Sequence, residues 1–232
     1  MSRESATEKK QRAFPVNVVL CWHMHQPQYQ DQFNRQFHLP WTYLHAIKDY
    51  VDMAAVVEEL PQCKVVVNFT PVLLDQLDDY IRQFDRFFKE GEPFGDALLQ
   101  ALSAPTIGKT EVLRLAVVKQ CVRANENRLI NRFQPFHELV QLARQALAKP
   151  AYLAYLDEQF FFDLLVWYHL VWMGETVRTR NETVQRLLRK ERGFNQNDRR
   201  ELLGVIDQLL RTIVPRYRHL AASGQMELSV TP

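Results

Sequence analysis

Two histidines and a glutamate carry the chemistry that this sequence could perform. His23 and His25 fall in the run His23-Met24-His25-Gln26-Pro27, and Glu227 in Gly224-Gln225-Met226-Glu227. A His-x-His pair at a strand end admits three readings. It can hydrogen-bond a loop, ligate a metal ion, or use neutral imidazoles to donate and accept hydrogen bonds to sugar hydroxyls. Metal ligation needs further ligands. The other histidines, His38, His45, His137, His169 and His219, fall in predicted loops or helices with no ligand-like spacing, which counts against a metal. A glutamate inside a short strand runs against propensity, so Glu227 belongs either to an exposed edge or to a functional cavity.

Three predicted strands must position these groups. They are Val16–His25 (VNVVLCWHMH), Lys64–Thr70 (KVVVNFT) and Met226–Thr231 (MELSVT), each rich in β-branched or aromatic residues and each ending at a proline. Alternation puts Cys21, His23 and His25 on one face of the first strand, with Leu20, Trp22 and Met24 on the other; it puts Glu227, Ser229 and Thr231 together on the third. Thr70-Pro71 and Thr231-Pro232 have the form of an N-cap followed by proline at the first helical position. After Pro71 the spacing of Leu73, Leu77, Ile81 and Phe84 predicts a helix, and Leu44, Ile47, Val51, Ala54 and Val57 predict another over Trp41–Leu60. Strand, helix, strand, helix implies right-handed crossovers and a parallel sheet, whose strand ends are where such folds build sites.

Between the second and third strands the chain is predicted nearly all helical. Helices are expected over Glu111–Arg132, Phe136–Ala148, Asp157–Trp172, Glu182–Arg192 and Asp198–Ala222. Asn197 is the expected N-cap of the last, Pro215 its expected kink or break, and Gly224 its stop. This block looks like an insertion, at about residues 90–222, into a β/α scaffold. Residues 1–13 are polar and charged and are expected to be a disordered leader. Three parallel strands cannot close a barrel, and Pro232 starts a helix that does not follow, so the chain is expected to be truncated after its third strand.

Composition narrows the class. Of 232 residues 47% are hydrophobic, 24% are charged and the formal net charge is +2, the balance of a globular domain without the basic excess of a nucleic-acid binder. Cys21, Cys63 and Cys121 are scattered and odd in number, which suggests a reducing, cytoplasmic compartment. Phe160–Gly174 is the most apolar stretch, yet it is shorter than a bilayer span and contains Asp163 and His169, so a buried helix and no membrane partner are expected. The basic run from Arg178 to Arg200 has Glu175, Glu182, Glu191 and Asp198 interspersed, and is expected to be a solvated helical surface. The same expectation covers Asp75, Asp78 and Asp79.

His-x-His-Gln-Pro closing a first strand and Gly-Gln-x-Glu opening a later one resemble two sequence signatures of glycoside hydrolase family 57. Leu39–Ala54, Lys64–Tyr80 and Trp167–Glu175 resemble its amylase-like branch, so that the likeness runs over residues 16–232. The resemblance implies an incomplete, seven-stranded (β/α) barrel with helical insertions, acting on α-glucans or maltooligosaccharides with retention of configuration and without metal or organic cofactor. It implies a glutamate nucleophile and an aspartate acid/base on later strands, hence no catalytic residue in this chain and no activity of the chain alone. His23, His25 and Glu227 resemble sugar-contacting residues, joined by Gln26 of the same signature; for Trp41 and Trp22 two roles stay open, stacking of the indole on a sugar face and packing in the core or a loop. Two rivals stay open: a metal-dependent barrel hydrolase using His23 and His25, and a non-catalytic helical interaction module.

Overall fold

The computed structural model describes residues 18–31, 33–108 and 110–231; the leader and Pro232 lie outside them. Strand β1 (Leu20–Met24) is followed by a helix built in three pieces: α1 (Trp41–His45), a π-turn (Ala46–Tyr50) and α2 (Val51–Glu59). Next come β2 (Val65–Phe69) and α3 (Pro71–Glu90), with Pro71 at the first helical position as predicted. The helical block comprises α4 (Ala97–Ser103), α5 (Glu111–Cys121), α6 (Gln134–Ala148), α7 (Glu158–Trp172), α8 (Glu175–Arg180), α9 (Glu182–Lys190) and α10 (Gln196–Ala222). Strand β3 (Met226–Val230) then returns to the sheet.

The three strands are parallel in the order β1-β2-β3, so the chain is mixed α/β with β2 in the centre. Register aligns Cys21 with Val66 and Glu227, His23 with Asn68 and Ser229, and Met24 with Phe69 and Val230. Alternation then separates two faces. Met24, Val65, Val67, Phe69 and Met226 are buried against helices, and the Phe69 ring meets Tyr217 of α10 edge-on at 5.2 Å. Cys21, His23, Glu227 and Ser229, with Asn68 half-buried between them, occupy a face that no helix covers.

The predicted single helix over 41–60 carries its π-turn for a visible reason. The Ile47 carbonyl accepts the Gly174 N–H at 2.9 Å, a bond from outside the helix of the kind a π-turn leaves room for. Close approach at this junction also explains Gly174. A Cβ there would lie 2.5 Å from Asp52 Oδ1, and that carboxylate is committed to the N–H groups of Glu175 and Thr176, at 2.6 and 3.0 Å.

Several expectations are corrected. The predicted helix over 111–132 stops at Cys121, because Asn125 caps a fresh turn by accepting from Arg128 N at 2.9 Å. The N-cap of α10 is Asn195, not Asn197: Asn195 and Asp198 form a reciprocal capping box. Pro215 does not divide α10, which runs unbroken through it. Helices α4 and α8 went unpredicted. Asp96 caps α4, accepting from Leu98 N and Leu99 N. The basic run is not simply a solvated surface either. Arg199 is buried over the Phe162 ring and donates to the carbonyls of Leu102 and Ala104, Arg178 is buried against Val171 O, and Arg186 pairs with Asp198 and Glu201.

Helix α7 is buried on every side, as its unbroken apolar character requires. Its two buried polar residues, Asp163 and His169, are satisfied internally. Asp163 accepts from Gly193 N and Phe194 N, each at 2.9 Å. His169 Nδ1 donates to Leu165 O at 2.7 Å, which leaves Nε2 to accept from the Tyr43 hydroxyl at 2.9 Å. Among the described residues no helix is long and apolar enough to cross a membrane.

Candidate active site

The uncovered face of the sheet gathers polar side chains from all three strands. Asn68, central on β2, connects them: its Oδ1 lies 2.7 Å from His23 Nδ1 on β1 and accepts from Thr231 Oγ1 at 2.7 Å, while its Nδ2 donates to Ser229 Oγ at 2.8 Å. The His23 and His25 rings stack at 5.6 Å with 17° between their planes. Glu227 stands on the same face, one register row nearer the amino-terminal ends of the strands. Two strand spacings, about 10 Å, separate it laterally from β1. The three predicted groups therefore share a face, the two imidazoles stacked on each other and Glu227 standing apart from them.

The other candidates lie elsewhere. Gln26 is only 8% exposed and its Nε2 donates to the Tyr50 hydroxyl at 3.3 Å, so it ties the strand end to the helix side. Trp22 is on the helix-packed face, in register with Val67. Trp41 opens α1, its ring 5.6 Å from Trp172 and 6.4 Å from His45.

The loop that follows His25 is fastened from below by α3. Gln76 donates to Pro27 O at 3.0 Å and accepts from Tyr29 N at 3.0 Å. Asp79 accepts from Gln30 and Gln83 and pairs with Arg35. Asp79 is thus no solvated acid, being 2% exposed. Burial opposes its charge, but the hydrogen bonds and the Arg35 guanidinium outweigh that and hold its carboxyl below the usual range. Asp75 and Asp78 do face solvent, as expected.

Sequence reasoning missed Asn68. The signal was available, since asparagine is disfavoured inside a strand just as glutamate is, and alternation would have put it beside His23. A cavity of about 460 Å³ elsewhere is lined by Phe37, His38, Pro40, Leu98, Ile107 and Val117 among others, and none of the sheet-face residues borders it. Among the described residues no three or more His, Cys, Asp or Glu side chains group as a metal ion would need.

The sequence profile of glycosyl hydrolase family 57 matches residues 19–232. The chain belongs to this family. No curated protein and no solved structure matches it. The family 57 match takes in β1, β2, β3 and every residue of the uncovered polar face. Membership makes this a glycoside hydrolase chain with a carbohydrate substrate.

Proposed function

We propose that the uncovered sheet face forms the sugar-contacting part of an amylase-like, retaining α-glucan hydrolase or transglycosylase, built on a seven-stranded (β/α) barrel. What carries this reading is the row His23–Asn68–Ser229, with His25, Thr231 and Glu227 on the same side. Paired donors and acceptors on a rigid sheet suit a polyhydroxylated ligand, because each hydroxyl both donates and accepts. His23, His25 and Glu227 are the proposed sugar contacts, with Gln26 just past the end of β1 and Trp41 at the start of α1 as further proposed contacts. The compartment is proposed to be the cytoplasm.

Retaining chemistry needs two carboxyl groups about 5–5.5 Å apart across the scissile bond. Glu227 has no second carboxylate beside it on this face among the described residues. On the family resemblance, the nucleophilic glutamate and the acid/base aspartate come from later strands, so residues 1–232 alone are expected to bind sugar without cleaving it. Water intercepting the covalent intermediate would give hydrolysis; a sugar hydroxyl would give transfer.

The test is Glu227→Gln in an active protein containing this chain. Losing a charged hydrogen-bond partner costs about 1.5–3 kcal/mol, so kcat/KM on maltooligosaccharides should fall by about 10- to 150-fold. Wild-type kinetics would remove Glu227 from the site.

A further inference from the structure

We infer that Asn68 is a positioning residue that fixes the tautomer of His23, so that His23 presents Nε2 as a bare hydrogen-bond acceptor. The inference rests on the proposed reading of the uncovered face as the one that meets sugar, and it specifies how that face would do so.

The argument begins with what an amide can offer. A carbonyl oxygen only accepts, whereas the amide nitrogen only donates. The oxygen of Asn68 faces both His23 Nδ1 and the Thr231 hydroxyl at 2.7 Å, and its nitrogen faces Ser229 Oγ at 2.8 Å. His23 Nδ1 must therefore carry the ring hydrogen. In the neutral imidazole that leaves Nε2 unprotonated. In this orientation the Thr231 hydroxyl donates to the second lone pair of the same oxygen and Ser229 Oγ accepts the N–H, so the amide and its three partners are satisfied together. Turning the amide over would set an N–H against Nδ1 and move the ring hydrogen to Nε2, so amide orientation and tautomer are one variable.

Rigidity comes from the register. His23, Asn68 and Ser229 are aligned across three parallel strands, and the amide spans the middle one. The stacked His25 ring restricts rotation of His23 from its other side. A bare Nε2 accepts from a sugar O–H and leaves that oxygen's lone pairs for another donor. The opposite tautomer would demand a lone pair instead. Asn68 thus decides which role the bound hydroxyl plays, without touching it.

Long-range proton–nitrogen NMR of the chain with ¹⁵N-labelled histidine reads this directly at about pH 8, above the ordinary histidine range. Wild-type His23 should show Nδ1 at the upfield, protonated position and Nε2 at the downfield, bare one. In Asn68→Ala both resonances should move to intermediate, averaged positions. Asn68→Asp, which keeps the oxygen, should restore the wild-type pattern and serves as the arm if the alanine variant fails to fold. Wild-type His23 protonated at Nε2, or an alanine variant with unmoved resonances, would overturn the inference. Adding maltotriose separates the two layers. An upfield shift of Nε2 supports the sugar-facing reading; the inferred tautomer with no response to maltotriose keeps Asn68's role and sinks that reading.

Discussion

The two faces of the same three strands are built to opposite rules. Helix-side residues such as Val67 and Phe69 are apolar and buried, and Phe69 meets the Tyr217 ring of α10. On the other face the residues are exposed, and they bond laterally to one another rather than downward into a core. The comparison teaches that one short strand can serve both stability and chemistry, because alternation assigns each to its own side chains. Neighbouring positions should therefore fail in different ways.

The largest contrast is between Phe69 and Asn68. Phe69→Ala should lower stability by about 3–5 kcal/mol through a cavity under the sheet, whereas Asn68→Ala, whose bonds are partly solvated, should cost about 1 kcal/mol. Urea denaturation of both variants checks this; equal losses would show that the polar row is part of the fold's core.

Next in size is a pH effect confined to the packed interior. Burial pushes the Asp96 carboxyl up to about 6, against the hydrogen bonds from Leu99, Tyr80 and Leu98. It pushes the His169 imidazole down to about 4, against its bond to Leu165. Asp96 holds its proton more tightly when folded, so its contribution is full below pH about 4 and is lost as pH rises through about 6. His169 resists protonation when folded, so its contribution is full above pH about 6.5 and is lost as pH falls through about 4. Each shift of about 2 units corresponds to about 3 kcal/mol, and the two nearly cancel. Asp96→Asn keeps the helix cap but removes one side of that balance. The variant should lose about 3 kcal/mol relative to wild type between pH 6.5 and 4, measured by chemical denaturation; parallel curves would refute the balance.

The smallest effect belongs to the exposed face. Glu227→Gln should leave stability within about 0.5 kcal/mol of wild type while turnover in an active protein falls. A thermal-melt comparison decides it, and a large loss of stability would make Glu227 a structural residue.

Much of this division was legible beforehand. Alternation placed His23 and His25 on one strand face and Glu227 on another, and the parallel register puts those faces on the same side. Asn68 was overlooked because the valines around it announce a buried strand and hide its polar parity. Asp79 was misjudged for a related reason: spacing along α3 shows which residues share a helix face, but not that a loop 44 to 49 residues earlier returns Arg35 and Gln30 to cover it. The cap of α10 was misplaced by two residues because two asparagines compete locally, and only Asn195 has Asp198 three positions on to close the reciprocal bond. Long-range covering and capping reciprocity are three-dimensional facts that a periodic pattern does not encode.

The junction at Gly174 has a consequence for how the molecule comes apart. Its amide is held by Ile47, and the next two amides by Asp52. The first crossover helix and the helical block are thereby riveted at a point where no spare volume exists for even a methyl group. Opening one should drag the other, so amide hydrogens on α2 and α8 should exchange with deuterium in step.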